Sequence, residues 1–209
     1  MTGMLILARQ GQNEGDALER FVGQADYRLT HLGRLEAKGI ARQIVWASLS
    51  VDAIFAAASR QAEETVHIVR KGLGLPVPFF LDPSLCERDF GDLTNMRKEA
   101  ALDLYGAPAV VAWKRSFNSA PPSGESFDHL HQRAWSYFNQ SIQPHLDEGQ
   151  NILVVADTDV TRALALGMGE LPIAQAEALE YDRGQVIAYV FDESEEPVRR
   201  RSSHLRIVA

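Results

Sequence analysis

The stretch ILVVADTDVTRAL, residues 152–164, begins with five consecutive apolar residues and continues through a short polar turn into a segment of helical character. A strand that is apolar on both faces is typical of a parallel sheet covered by helices on each side. In open α/β sheets the functional site lies beyond the carboxyl ends of the strands. The first residues after this strand, Asp157 and Asp159 among them, are therefore candidate site residues.

The stretch LILARQGQNEGD, residues 5–16, has a similar layout near the start of the sequence. An arginine close to a glycine suits an anion, because glycine lets a ligand approach the backbone and arginine offers a planar fork of donors. The residue between Arg9 and Gly11 is Gln10. Its amide can donate and accept hydrogen bonds, but it has no titrating proton and no nucleophilic lone pair.

Strand and helix patterns alternate along the rest of the chain. Strands are predicted at Met4–Ala8, Ala53–Ala57, Val77–Phe80, Asn151–Ala156, Gln185–Phe191 and Leu205–Val208. Helices are predicted at Leu32–Ser48, Arg60–Gly72, Arg97–Tyr105, Phe127–Asp147 and Asp159–Gly169. This alternation predicts one domain over residues 1–209, a three-layer α/β/α fold with a mainly parallel sheet. The segment FNSAPPSGES, residues 117–126, is predicted to be a loop, either a flap or a connection.

The composition narrows the class of partner. Of 209 residues, 45% are hydrophobic and 23% are charged, and the formal net charge is -7. This charge argues against nucleic acid or an anionic membrane surface as a partner. No apolar stretch reaches the length of a membrane span, and no basic segment followed by a long apolar run marks a signal peptide. With the single cysteine Cys86, these features predict a cytoplasmic protein.

Five motifs together carry a resemblance to a known family. They are LARQGQNE (7–14), DYRLTHLGRLEA (26–37), LCERDFGDL (85–93), WKRSFNSAPPSGES (113–126) and ILVVADTDVTRAL (152–164). In order and spacing the chain resembles the cofactor-dependent phosphoglycerate mutases of the histidine phosphatase superfamily. The resemblance covers residues 4 to about 170, and it implies the α/β fold of those enzymes.

The resemblance implies a covalent reaction in the family. A histidine after the first strand takes a phosphoryl group, a second histidine stabilises its transfer, arginines hold its oxygens, and a glutamate moves the proton. In this chain the first histidine position holds Gln10 and the second holds Asp157. Arg9 and the acid–base residue Glu87 are retained. A phosphohistidine cannot form on Gln10.

Further positions divide into changed and retained ones. The changed residues, as the resemblance implies, are Asp16 and Asp159 in place of asparagines, Gln61 in place of an arginine, Asp89, Phe90 and Val22. Retained residues with an expected ligand-binding role are Arg9, Gly23, Arg88, Lys98, Lys114 and Arg115. Two charges 4 Å apart interact by roughly 4 kcal/mol at an effective dielectric constant of 20, so a carboxylate at position 157 would oppose a phosphoryl dianion.

The predicted function is that of a degenerate mutase-like protein without phosphohistidine chemistry. It is expected to bind a small phosphorylated or carboxylated ligand, or a protein partner, without a cofactor. The sequence does not determine whether the protein forms a homo-oligomer. The alternative is a repurposed mutase-like or phosphatase-like enzyme, assisted by a metal ion at Asp157 and Asp159 with Asp16. A similarity of the Asp-x-Asp-x-Thr string to haloacid-dehalogenase phosphatases is read as chance. Among the six histidines, His129 is the first candidate for a substitute nucleophile.

Overall fold

The computed structural model describes residues 3–169, 181–191 and 202–205. Its strands are β1 (Met4–Arg9), β2 (Ala53–Ala57), β3 (Phe79–Asp82), β4 (Ile152–Ala156), β5 (Val186–Phe191) and β6 (Ser202–Leu205). Its α-helices are α1 (Glu14–Ala17), α2 (His31–Trp46), α3 (Arg60–Leu73), α4 (Lys98–Tyr105), α5 (Ala107–Arg115), α6 (Phe127–Tyr137), α7 (Gln143–Asp147) and α8 (Thr158–Gly167). No helix within these residues is long and apolar enough to cross a membrane.

The strands form one sheet in the order β3-β2-β4-β1-β5-β6. The neighbours from β3 to β1 pair in parallel, whereas β5 pairs antiparallel with β1 and β6 antiparallel with β5. All five residues of β4 are fully buried, which confirms the strand predicted from ILVVA. From β1 the chain continues toward β2, and from β4 it continues toward β5. The carboxyl ends of β1 and β4 therefore meet at a topological switch point, where α/β sheets bind ligands.

Helices cover both faces of the sheet. Helices α2 and α3 pack against each other, and α6 packs against α8. The connections through α2 and α3 run along the sheet in one direction, and those through α6 and α8 run in the other. Because parallel crossovers are right-handed, the two pairs lie on opposite faces. The predicted three-layer α/β/α architecture with a mainly parallel sheet is confirmed.

Three helical segments differ from the sequence prediction, and one of them is the single-turn helix α1, which was not predicted. The predicted helix Phe127–Asp147 contains a π-helical segment, Phe138–Ile142, between α6 and α7. Pro144 explains the interruption, because proline has no amide donor and its ring clashes with the preceding turn of an α-helix. Helix α5 was not predicted at all. Pro108 in its sequence argues against a helix, yet it lies in the first turn, where proline is tolerated.

Two edge strands are displaced from their predicted positions. Strand β3 begins two residues later than the predicted Val77–Phe80. Pro78 cannot donate to a neighbouring strand, and its carbonyl instead accepts a hydrogen bond from the Ile54 amide. The predicted strand Leu205–Val208 meets β6 only at Leu205, and residues 206–208 lie outside the described residues.

The apolar residues of α2 point in two directions. Ile40 and Ile44 are fully buried, as a helix of this period predicts. Leu32, Leu35 and Val45, which share the same approximate period, are 50%, 44% and 58% exposed. Their spacing identified the helix correctly but did not distinguish its core face from its outer face.

The turn after β1 packs directly on the start of α2. A Cβ atom on Gly11 would lie 2.2 Å from the Gly33 carbonyl oxygen, and one on Gly33 would lie 2.0 Å from the Gln12 carbonyl oxygen. Only glycine permits this backbone approach. Thr30 caps α2 through its side chain, which accepts from the Gly33 amide at 3.0 Å. The contact holds residues 9–12 in place at the end of the sheet.

We expect Gly11→Ala to lower the free energy of unfolding by about 2 kcal/mol, because the opposing backbone must shift. Gly39→Ala is the matched control: its Cβ would meet only the Gln43 Nε2 atom at 4.0 Å. Inside a helix that change should stabilise by about 0.5–1 kcal/mol. Urea unfolding measures both. Equal stabilities for the two variants would contradict the proposed contact.

Candidate functional site

A cavity of about 360 Å³ opens at the carboxyl ends of β1 and β4. Its lining combines the ends of these strands with the loop after Leu85, the last turn of α5 and the first turns of α8. The lining residues are Arg9, Asp16, Arg20, Phe21, Val22, Gly23, Glu87, Arg88, Phe90, Lys98, Lys114, Arg115, Asp157, Thr158, Asp159, Arg162 and Arg183.

The two strand ends are joined by side-chain hydrogen bonds. The Gln10 amide donates from Nε2 to Asp157 Oδ2 at 3.1 Å, and Arg9 donates from Nε to Asp157 Oδ1 at 3.3 Å. Arg9 also donates from Nη1 to the Tyr181 carbonyl at 2.8 Å. Gln10 is 3% exposed, and its Oε1 atom has no hydrogen-bond partner among the described residues. Asp157 is thus engaged by both residues that precede the Gly11 turn.

Glu87 lies in the cavity wall beside α8. Its carboxylate accepts hydrogen bonds from the Arg88 amide at 2.6 Å and from the Asp159 amide at 3.3 Å. Burial, followed by the charges of Asp159 and Asp157, raises the pKa of Glu87 well above its ordinary value. A carboxyl with such a raised pKa holds a proton at pH values where an exposed glutamate has lost it.

An ion pair behind the cavity holds the segment that carries Glu87. Arg133 donates to Glu125 from Nε at 2.8 Å and from Nη2 at 2.9 Å, and it also donates to the carbonyls of Ser84 and Glu87. Glu125 accepts in turn from the Asp89 amide at 3.0 Å. The loop predicted at 117–126 is confirmed as a loop, and these contacts tie its end to the Glu87 segment.

Arg88 crosses from the Glu87 segment to two other elements. Its Nη2 atom lies 3.1 Å from Asp159 Oδ2, and its Nη1 atom donates to the Trp113 carbonyl at 2.7 Å. The side chain is 2% exposed, and its guanidinium lies over the Phe90 ring. These contacts connect α8 to the end of α5. Its buried Nε atom has no hydrogen-bond partner among the described residues, and its expected role in ligand binding stays a prediction.

The remaining inner carboxylates are also paired with arginine. Asp159 binds Arg162 at 3.0 Å, in addition to Arg88. Asp16 binds Arg183 at 2.9 Å. Burial raises the pKa of Asp16, and the charge of Asp157 raises it further, although Arg183 partly opposes both effects. Three of the four described carboxyl groups in the cavity are thus paired with a guanidinium, whereas Glu87 accepts from backbone amides.

The described lining of the cavity is nevertheless cationic. Among the described residues, eight Arg and Lys side chains line it against four carboxylates, a formal net charge of +4 in a chain whose net charge is -7. Four of these cations do not lie at the strand ends or in α8 but in the loop after α1, in α4 and in α5. We call them the outer cations: Arg20, Lys98, Lys114 and Arg115. Lys98 reaches the exposed Glu19 at 3.6 Å, and Arg20 donates to the Asn95 carbonyl. A positive cavity concentrates small anions.

The residues predicted from sequence are largely brought together. The cavity wall contains Arg9, Gly23, Glu87, Arg88, Lys98, Lys114, Arg115 and Asp157, and Gln10 lies directly behind it. Sequence reasoning did not single out Arg20 or Arg183, because neither lies in a motif that the resemblance covers. Gln61 is buried between Tyr27 and Ala25 outside the cavity, and Arg60 pairs with Glu64. The functional roles of the lining residues stay predictions.

The histidine and metal alternatives find no support in the part of the chain that the structure describes. No histidine lines the cavity there, and His129 lies at the start of α6 with its amide bonded to Ser126 Oγ. Within the same residues no group of three or more His, Cys, Asp or Glu side chains could hold a metal ion. The alternative ligands Asp157, Asp159 and Asp16 each bind an arginine instead.

Comparisons with known proteins match nearly the whole chain. The model of the histidine phosphatase superfamily (branch 1) matches residues 5–203. The 2,3-bisphosphoglycerate-dependent phosphoglycerate mutase of Bartonella bacilliformis is 33% identical over 193 residues, 92% of this chain and 94% of that protein. The enzyme of the same name from Brucella canis is 34% identical over 190 residues, 90% of this chain and 92% of that protein.

Solved structures show the same fold. Bacillus stearothermophilus YhfR superposes with a TM-score of 0.84 at 24% identity, covering 99% of this chain and 98% of that one. A mycobacterial glucosyl-3-phosphoglycerate phosphatase in complex with VO3 superposes with a TM-score of 0.80 at 24% identity, covering 98% of each chain. At this identity the likeness shows the fold alone.

Proposed function

Since the chain belongs to the histidine phosphatase superfamily, branch 1, we propose that it is a member without phosphohistidine chemistry that binds a small phosphorylated or carboxylated anion. One observation carries this proposal: Gln10 and Asp157, at the ends of the two central strands, bind each other. By the resemblance, these are the positions of the two family histidines. An amide and a carboxylate so arranged provide neither an imidazole nucleophile nor an imidazole donor.

The charge of the cavity supports an anionic ligand. Lys114 and Arg115 lie in the last turn of α5, and both side chains are exposed at the cavity. Asp157 and the carboxylates near it oppose a dianion in the inner part. We therefore expect the anionic group of the ligand to contact the outer cations rather than Arg9, which Asp157 already engages.

A retained Glu87 does not by itself favour catalysis. A carboxyl with a raised pKa can donate a proton to a leaving group, but a phosphoryl transfer also needs an acceptor for the phosphoryl group. Among the described residues the other cavity carboxylates, Asp16, Asp157 and Asp159, are each paired with an arginine. No specific contact favours the repurposed enzyme over the binding protein.

The experiment measures ligand binding and covalent phosphate together. Thermal shift with inorganic phosphate, 3-phosphoglycerate and 2,3-bisphosphoglycerate should show stabilisation by at least one anion. Arg115→Glu should abolish the shift, whereas Arg28→Glu, a charge reversal at an exposed residue outside the cavity, should keep it. Incubation with 32P-labelled 2,3-bisphosphoglycerate should leave no acid-labile phosphate on the protein. Covalent labelling, or no stabilisation by any of these anions, would refute the proposal.

The affinity for anions should depend on pH through Glu87 and Asp16. Both have raised pKa values, so each takes up a proton as the pH falls through its raised value, and the cavity becomes more positive. We expect sulfate, whose charge is constant over pH 4.5–8, to bind about tenfold more tightly at the acidic end. Titration calorimetry measures this dependence.

The variant Glu87→Gln supplies the control for this dependence. It removes the carboxyl with the strongly raised pKa, and the pH profile should flatten accordingly. A sulfate affinity that is equal at pH 5 and pH 8 in the unmodified protein would contradict the assignment of these carboxyls to the ligand site.

A further inference from the structure

Helix α2 carries an unusual outer face. Trp46 is 74% exposed, and Leu35 and Val45 lie on the same side of the helix. At 100° per residue, Lys38 and Arg42 fall between these apolar residues on one continuous stripe. The stripe is therefore apolar at both ends and cationic in the middle. Isolated exposed apolar residues are ordinary, but several on one helical face indicate an interaction surface.

This face borders a groove between α2 and α3. The groove has a volume of about 560 Å³ and is lined by the stripe together with Ala41 and Gly72. A Cβ atom on Gly72 would lie 2.5 Å from the Ala41 Cβ atom, so glycine allows α3 to approach α2 closely here. A concave apolar floor with an aromatic edge suits the side chains of a second helix.

The charges on the groove select among partners. Lys38 and Arg42 are exposed, and neither makes an ion pair with a residue that the structure describes. Both are cations in a chain of net charge -7. A partner that covers them needs carboxylates opposite the middle of the stripe and apolar side chains opposite its ends.

We propose that the α2–α3 groove binds an amphipathic helical segment of another protein, with acidic residues between two apolar anchors. A second copy of this chain fits less well, because a two-fold axis near residue 40 would bring Lys38 of one copy against Arg42 of the other. A membrane fits less well too, because the overall negative charge opposes an anionic lipid surface and the groove is concave. The proposal does not depend on the function of the ligand cavity.

The test uses a displayed library of random 16-residue peptides, selected against the full chain. We expect the enriched peptides to combine Asp or Glu with large apolar residues at helical spacing, and to shift the fluorescence of Trp46. Their dissociation constants should rise at least tenfold for the double variant Lys38→Glu/Arg42→Glu and, separately, for Trp46→Ala. Arg28→Glu is a charge-reversal control outside the groove and should leave binding unchanged.

All of these substitutions lie on exposed side chains, so the variants should fold, and circular dichroism checks this. Several outcomes would overturn the proposal. The selection would do so if no peptide were enriched, or if the enriched peptides bound all variants equally. A dimer in sedimentation that Trp46→Ala dissociates, or binding of phosphatidylserine vesicles through Trp46, would also overturn it.

Discussion

Asp157→Asn is expected to tighten the binding of sulfate or phosphate by tenfold or more. The substitution removes one negative charge from the cavity while keeping an oxygen that can accept from Arg9 and from the Thr158 amide. A carboxylate about 8 Å from an anionic charge opposes it by roughly 2 kcal/mol at an effective dielectric constant of 20. Tenfold in affinity corresponds to about 1.4 kcal/mol, so the effect should exceed this even with some screening.

The matched control is Asp26→Asn. Asp26 bonds the Arg60 amide outside the cavity, and its neutralisation should change sulfate affinity less than twofold. Calorimetric titration of the three proteins at constant ionic strength separates the local effect from the change in net charge. An unchanged affinity in Asp157→Asn would mean that the anion binds outside this cavity, against the proposed function.

The largest expected loss of stability follows the replacement of Arg88 by methionine. This change removes the hydrogen bond to the Trp113 carbonyl and leaves Asp159, itself largely buried, with Arg162 as its remaining ion-pair partner among the described residues. Loss of one partner from a buried pair typically costs 3–5 kcal/mol. Because Arg162 remains, we expect about 3 kcal/mol in urea unfolding.

Arg60→Met gives the comparison for this substitution. Arg60 is 48% exposed and pairs with Glu64 one turn along α3, a type of pair that contributes about 0.5 kcal/mol or less. A similar loss in both variants would show that Arg88 does not connect the three segments as described.

The sequence predicted the layers of this fold because its strongest signals are local. The continuous apolar run of β4 and the polar turn after it were enough to identify a covered strand and the end of the sheet where side chains could gather. The displaced start of β3 and the undetected helix α5 both depend on prolines. Proline restricts its own backbone but leaves open whether the chain ends one element or begins another.

The sequence predicted which residues line the cavity, but not all of the ion pairs that they form. Arg9 and Asp157 could be placed together because each lies at the carboxyl end of a predicted strand, whereas the family resemblance alone implied that Glu87 lies beside them. The Arg88–Asp159 and Arg183–Asp16 pairs depend on side-chain positions over long sequence separations, whereas the Asp159–Arg162 pair lies within one turn of α8. The outer exposure of Leu35 and Val45 has the same cause, because period alone does not say which face of a helix the sheet will cover.

The position of Arg88 also affects how a molecule can enter the cavity. Its guanidinium joins the Trp113 carbonyl, next to Lys114, to the first turn of α8 in the core. The last turn of α5 is thereby anchored to α8 and cannot swing outward as a hinged cover unless this buried contact breaks. Entry should therefore proceed by rotation of the long side chains of Lys114 and Arg115, within nanoseconds, rather than by a slow domain opening.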